Sequence, residues 1–120
     1  MTYPLAFSTW GNEEVEAIKR VIDTDMYTMG KHVKQFEKEF AETFGSPHAI
    51  MVNSGSSANL LMLSLLRWKY KLSGDIIVPV VGWATTFFPV SQNGFKLNFV
   101  DVDPNTWNID ITKIEAAITP

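Results

Sequence analysis

Apolar residues recur at helical spacing through the first third of the chain. Val15, Ile18, Val21 and Ile22 share one stripe, which predicts a helix with Asn12 placed as its cap. Glu13 and Glu14 suit the positive end of that helix dipole. A second stripe, Val33, Phe36, Phe40 and Phe44, predicts a helix with Lys34, Lys38 and Glu42 on its wet side and Gly45 as its stop. From Ser46 onward the pattern changes to short apolar runs alternating with helical ones. Residues 48–52 predict a buried strand, 57–71 a helix, 75–80 a strand, 83–92 a short helix and 97–101 a third strand. Pro89 lies near the start of the short helix or kinks it, Asn93-Gly94 ends it, and Asp103-Pro104-Asn105 turns the chain. Asp110 then caps a last helix with Ile111, Ile114 and Ile118 on its apolar face.

Strands alternating with helices predict right-handed parallel crossovers and hence an α/β fold. The strands are apolar without alternation, as in a parallel sheet covered on both faces. Leu60, Leu61, Leu63, Leu65, Leu66 and Trp68 surround the 57–71 helix almost completely, which predicts a helix enclosed within something large. No repeat or Gly/Ser/Pro linker divides the chain. The final helix would ordinarily deliver another parallel strand, so residues 1–120 are expected to be the opening piece of a larger α/β protein. A complete three-strand domain is the alternative.

Composition narrows the function classes. The 120 residues carry 10 Lys+Arg against 13 Asp+Glu, a formal charge of −3, which argues against nucleic acid as a partner. The 46% apolar and 19% charged residues exclude a disordered polymer. With no Cys, disulfides, thiolate metal sites and cysteine nucleophiles are all removed. No secretory leader pattern opens the chain, and the longest nearly apolar window, 76–90, is interrupted by Pro79, Gly82, Thr85, Thr86 and Pro89. A cytoplasmic protein with no membrane partner is the expectation. Asp101-Val102-Asp103 reads as a turn rather than a metal site, and His32 and His48 lack ligand spacing, so no metal is expected.

Chemistry concentrates in Asn53-Ser54-Gly55-Ser56-Ser57-Ala58-Asn59-Leu60. A strand candidate runs into small hydrogen-bonding residues, and these run into an apolar helix. Such a loop leaves backbone N–H groups at the positive end of the helix dipole, an arrangement that binds phosphate. Gly55 lets an anion approach the backbone because it has no Cβ. The P-loop and dinucleotide patterns are both absent. An ordinary serine-rich helix cap is the competing explanation.

This segment resembles the phosphate-binding loop of the DegT/DnrJ-type aminotransferase family, pyridoxal-phosphate enzymes that modify nucleotide-linked sugars. Three further blocks agree in order and spacing. Tyr3-Pro4-Leu5-Ala6 and Thr9-Trp10 precede the first helix, and Tyr27-Thr28-Met29-Gly30 and Phe36-Glu37 flank the entry to the second. Asp75-Ile76-Ile77-Val78-Pro79 is followed by Trp83-Ala84-Thr85-Thr86, Phe99-Val100-Asp101-Val102-Asp103 and Asn108-Ile109-Asp110. Within the family, the Thr-Met-Gly and Trp-Ala-Thr-Thr blocks look most like the branch that removes the C3 hydroxyl from 4-keto-6-deoxyhexoses, as in colitose biosynthesis.

The resemblance implies the N-terminal portion of the mainly parallel large-domain sheet of an aspartate-aminotransferase-like fold, two helices followed by three β-α units. It implies pyridoxal 5'-phosphate, or its pyridoxamine form, as cofactor. Gly55, Ser56 and Ser57 would hold the phosphate, and Trp83 would stack on the pyridine ring. Asn59 would tie the loop to its helix. Thr28, Met29 and Gly30 would approach a nucleotide-linked sugar substrate, with Tyr3 and Trp10 near it or near the partner subunit of a homodimer. The acid that pairs with the pyridine nitrogen, and the Schiff-base lysine or its histidine replacement, would lie beyond position 120. Residues 1–120 alone are therefore expected to be catalytically silent. Transamination is the alternative reaction, and a non-catalytic phosphate-binding or interaction module is the alternative of another class.

Overall fold

The computed structural model describes residues 3, 4 and 6–119. The chain divides into two compact units, Met1–Met51 and Val52–Pro120. The first holds α1 (Asn12–Ile22) and α2 (Lys31–Thr43). Gly11, rather than Asn12, caps α1 on extended backbone. Its N–H donates to the Glu14 carboxylate at 2.7 Å, so an acid in the first turn closes the cap that Asn12 was expected to make. That bond, followed by one from Glu14's own N–H, holds the Glu14 carboxyl below its usual range.

Along α2 the rings of Phe36, Phe40 and Phe44 follow one another with centroids 5.6 and 4.5 Å apart. Ala41 is buried. The helix ends as predicted at Gly45, whose φ is +63°. The next segment departs from expectation: residues 48–52 form no strand. The Met51 N–H donates to Glu37 Oε1 of α2 at 2.8 Å, so it serves an acid rather than a strand ladder. A strand exists only through its partner, and among the described residues this segment has none.

The second unit begins with α3 (Gly55–Ser64), which widens into a π turn over Leu65–Lys69. Next come β1 (Asp75–Pro79), α4 (Ala84–Gln92) and β2 (Lys96–Val100). The two strands pair in parallel, with Asp75 opposite Lys96 and Pro79 opposite Val100, and α4 forms the crossover between them. Lys96 Nζ stands 3.2 Å from Asp75 Oδ2 at the first pair of the register. Val78, Pro89, Val90, Phe95 and Val100 are buried apolar residues of this unit. The expected enclosure of α3 is not met among the described residues, since Leu61, Met62, Leu65 and Trp68 are exposed.

Two side-chain amides bind α3 to α4. Pro89 has no N–H, so the carbonyl four residues earlier, that of Thr85, loses its helical donor. Asn59 Nδ2 from α3 donates to that carbonyl at 3.3 Å. At the other end, buried Asn93 donates to the Pro89 carbonyl at 2.9 Å and accepts from Ser64 Oγ at 2.9 Å.

The end of α4 is fixed by its backbone. The Gly94 N–H donates to the Ser91 carbonyl at 3.0 Å and the Phe95 N–H to the Val90 carbonyl at 3.1 Å. Gly94 sits at φ +72° between them, and Val90 and Phe95 are both buried. Because a Cβ is disfavoured in the left-handed region, Gly94→Ala is expected to cost about 1–2 kcal/mol in urea unfolding. An unchanged midpoint would refute that account.

After β2 the chain turns sharply. Asp103 Oδ1 accepts from the Asn105 N–H at 2.7 Å, and Val102 bridges Ile109 in antiparallel fashion. Asp110 Oδ1 caps the next turn by accepting from the Thr112 N–H at 3.0 Å, as the sequence predicts. The expected helix is instead two short 3₁₀ turns, Ile111–Lys113 and Glu115–Ala117.

Lys113 Nζ lies 3.2 Å from Asp110 and 3.4 Å from Asp101. Asp101 is held below its usual value by the Val102 N–H first and Lys113 next. Asp110 is lowered by the Thr112 hydroxyl first, with Lys113 assisting. Lys113 is raised by Asp110 and then Asp101. The carboxylates therefore favour the fold above their ordinary range and lose that effect as pH falls through their lowered values. Lys113 favours it below its ordinary value and loses that effect as pH rises through the raised one. In Lys113→Met, both acids are expected to titrate higher than in the parent yet still below ordinary carboxylates, because Val102 and Thr112 remain. Carbon-13 NMR of the carboxyl groups reads this directly.

Candidate functional site

The turn at the start of α3 is built by three side chains. Ser54, on extended backbone, accepts the Ser57 N–H on its hydroxyl oxygen at 3.2 Å. The Ser57 hydroxyl donates to Asn53 Oδ1 at 2.6 Å and accepts from the Ser54 hydroxyl at 3.2 Å. A hydroxyl has one proton to give, so that of Ser57 is spent within the turn. The first turn of a helix leaves its N–H groups without helical acceptors. Here Ser57 is capped, whereas the N–H groups of Gly55 and Ser56 have no acceptor among the described residues.

Gly55 distinguishes this turn from an ordinary cap. Its φ is not positive, and a Cβ added to it would meet nothing within 4 Å. The fold therefore makes no demand for glycine at this position. The space beside its backbone is open. Residues of this kind fit a phosphate, because hydrogen bonds to a charged acceptor are stronger than neutral ones.

An open hollow of about 300 Å³ adjoins the turn, lined by Ser56, Ser57 and Leu60 of α3 and Thr85, Phe88, Pro89 and Gln92 of α4. Trp83 caps α4 from the segment that follows the carboxyl end of β1, and the residue is 77% exposed. Open α/β sheets receive ligands at the carboxyl ends of their strands. Pro79 and Val100 put both such ends of this sheet side by side. The Asn59–Thr85 bond connects α3, just behind its first turn, to the first turn of the helix that Trp83 begins. Asn59 thus reaches further than the loop-to-helix tie expected of it.

Thr28, Met29 and Gly30 belong to the other unit. Thr28 and Gly30 line an apolar cavity of about 510 Å³ together with Val21, Met26, Tyr27 and Val33. Met29 is exposed and does not line it. Gly30 caps α2, and a Cβ there would meet Met26 Cγ at 3.0 Å. Tyr3 and Trp10 are exposed. Sequence inspection missed the Glu37–Met51 bond and the function of Pro89 in creating a carbonyl for Asn59. A proline inside a helix was the available signal for the second.

Among the described residues, no group of three or more His, Cys, Asp or Glu could hold a metal ion, and no helix is long and apolar enough to cross a membrane.

Known proteins resemble this chain along nearly all of its length. The GDP-4-keto-6-deoxy-D-mannose 3-dehydratase of Yersinia pseudotuberculosis is 51% identical over 99% of the chain, which covers 31% of that protein. A solved Escherichia coli GDP-4-keto-6-deoxy-D-mannose 3-dehydratase with bound hydrated PLP superposes with a TM-score of 0.88 at 52% identity, covering 98% of this chain and 31% of that one. A sugar aminotransferase from Micromonospora echinospora superposes with a TM-score of 0.80 at 26% identity, covering 98% and 31%. The chain thus spans about a third of the length of these relatives. The α/β fold expected from the sequence is that of the N-terminal segment of such enzymes. Residues 8–120 match the DegT/DnrJ/EryC1/StrS aminotransferase family over most of the chain, and the chain belongs to that family.

Proposed function

We propose that residues 1–120 are the N-terminal part of the large domain of a PLP-dependent enzyme that removes the C3 hydroxyl from a nucleotide-linked 4-keto-6-deoxy sugar. The observation that carries this reading is the pair of free N–H groups at Gly55 and Ser56 beside an open space. The choice of dehydration over transamination rests on the 51% identity to a 3-dehydratase, against 26% to a sugar aminotransferase. Bound pyridoxal phosphate, or its pyridoxamine form, supplies an electron sink for chemistry at the sugar carbons.

This chain's residues bind and orient. The Gly55 and Ser56 N–H groups and the Ser56 hydroxyl hold the phosphate, while Ser57, fixed by Asn53 and Ser54, sets the shape of the turn. Trp83 offers a flat aromatic face for the pyridine ring, a contact of about 0.5–1.5 kcal/mol beyond burial. Thr28, Met29 and Gly30 contact the sugar nucleotide. The complete protein acts as a homodimer in the cytoplasm. No residue of this chain is assigned the transfer of the C3 proton.

Mixing the chain with pyridoxal phosphate, reducing with borohydride and weighing the product tests the reading. Weak binding that inorganic phosphate displaces, without a single stoichiometric lysine adduct, is the expected result. One stoichiometric adduct, or binding indifferent to phosphate, would overturn it.

A further inference from the structure

The carbonyl of Thr85 is a gap that the sequence makes and then fills. Pro89 removes the backbone donor that would serve it, and a side chain 26 positions away in the sequence, Asn59, supplies one at 3.3 Å. Asn59 lies on the second turn of α3, just behind Gly55 and Ser56, and Thr85 lies on the first turn of α4, two residues after Trp83. Both groups are half-buried, so water is a poor substitute for the lost donor. We infer that Asn59 is a positioning residue: its amide replaces the donor missing at Pro89 and so locks the anion-facing turn of α3 against the start of α4, where Trp83 stands. The inference deepens the proposed function and rests on it only for the identity of the anion.

Filling a carbonyl and bridging two helices are separable. Pro89→Ala returns a backbone N–H to the Thr85 carbonyl without rejoining α4 to α3. Asn59→Leu and Pro89→Ala, singly and combined in the full chain, therefore distinguish the two effects. With Pro89 present, Asn59→Leu is expected to raise the unfolding constant in urea roughly fivefold to tenfold, the effect of orphaning a half-buried acceptor. In the Pro89→Ala background, the same change is expected to raise it less than about threefold, because the carbonyl is satisfied from within α4.

The positioning readout runs the other way. Amide exchange at Ser57 and Ala58, whose N–H groups donate to Ser54 within the turn, is expected to quicken at least about fivefold on Asn59→Leu, and the inorganic phosphate affinity measured at the Gly55 and Ser56 amides to fall by a similar factor, in both backgrounds. Equal stability losses with and without Pro89→Ala would overturn the donor replacement. Unchanged exchange at Ser57 and Ala58 would overturn the bridge. If the parent chain shows no phosphate response, the anion-site reading fails by itself, while unfolding and exchange still decide this inference. Asn59→Ala, with less bulk, takes the place of Asn59→Leu if the latter does not fold.

Discussion

Gly55→Val is expected to abolish most anion binding while leaving the fold as stable as before. Nothing in the protein lies within 4 Å of the Cβ that the substitution introduces, and the backbone at position 55 is not left-handed. Valine is no worse a helix residue than glycine, so urea unfolding is expected to stay within about 0.5 kcal/mol of the parent. The new methyl groups enter the open space beside the Gly55 backbone and are expected to crowd an anion at the Gly55 and Ser56 N–H groups. A hydrogen bond to a charged partner contributes about 1.5–3 kcal/mol, so losing one lowers phosphate or pyridoxal phosphate affinity roughly tenfold to 150-fold. Gly55→Ala is expected to fall between the parent and the valine variant. Titrations followed by NMR at Ser56 measure the affinity. Stability and binding that decline together would mean that position 55 serves packing, and the case for an anion at this turn would be lost.

The largest stability loss is expected at Val90, which is 2% exposed and sits where α4 meets the sheet. Val90→Asp buries a carboxylate in place of an apolar side chain, at a cost of about 3–5 kcal/mol. Desolvation would push the introduced carboxyl up, so the penalty should shrink as pH falls and the group becomes neutral. Ser91→Ala, one residue along and exposed, should stay within about 0.5 kcal/mol. Urea unfolding at neutral and mildly acidic pH compares the two. A loss at Val90 below about 1 kcal/mol would show that α4 is not seated on the sheet as described.

Elements whose signals are local were legible in the sequence. The stripe through Phe36, Phe40 and Phe44, the stop at Gly45 and the Asn93-Gly94 ending are decided by neighbours within a turn or two. The runs at β1 and β2 were placed to within a residue because β-branched and aromatic residues crowd between turn signals. What failed depends on distant partners. An apolar run at residues 48–52 becomes a strand only if another strand lies beside it, and Glu37 takes the Met51 N–H instead. Ile111, Ile114 and Ile118 suit an α-helix, yet the chain there closes in short turns anchored on Asp110 and Lys113. At the site, the small residues of 53–57 announced a capped turn at a helix start, but which hydroxyl remains free followed only from geometry. Ser57 spends its proton on Asn53, and Ser56 does not. Asn59 announced itself weakly, since its partner carbonyl exists only because of a proline far along the chain, Pro89.

The π turn at Leu65–Lys69 closes with the Tyr70 N–H reaching back to the Leu65 carbonyl at 3.2 Å. Such a turn stores about one residue more than α-helical winding requires. A relative lacking one residue in that stretch would wind its helix tightly there and still deliver β1 in the same register. A one-residue difference in length between α3 and β1 is thus absorbed at the Leu65–Lys69 end, away from the turn at Gly55 where α3 begins.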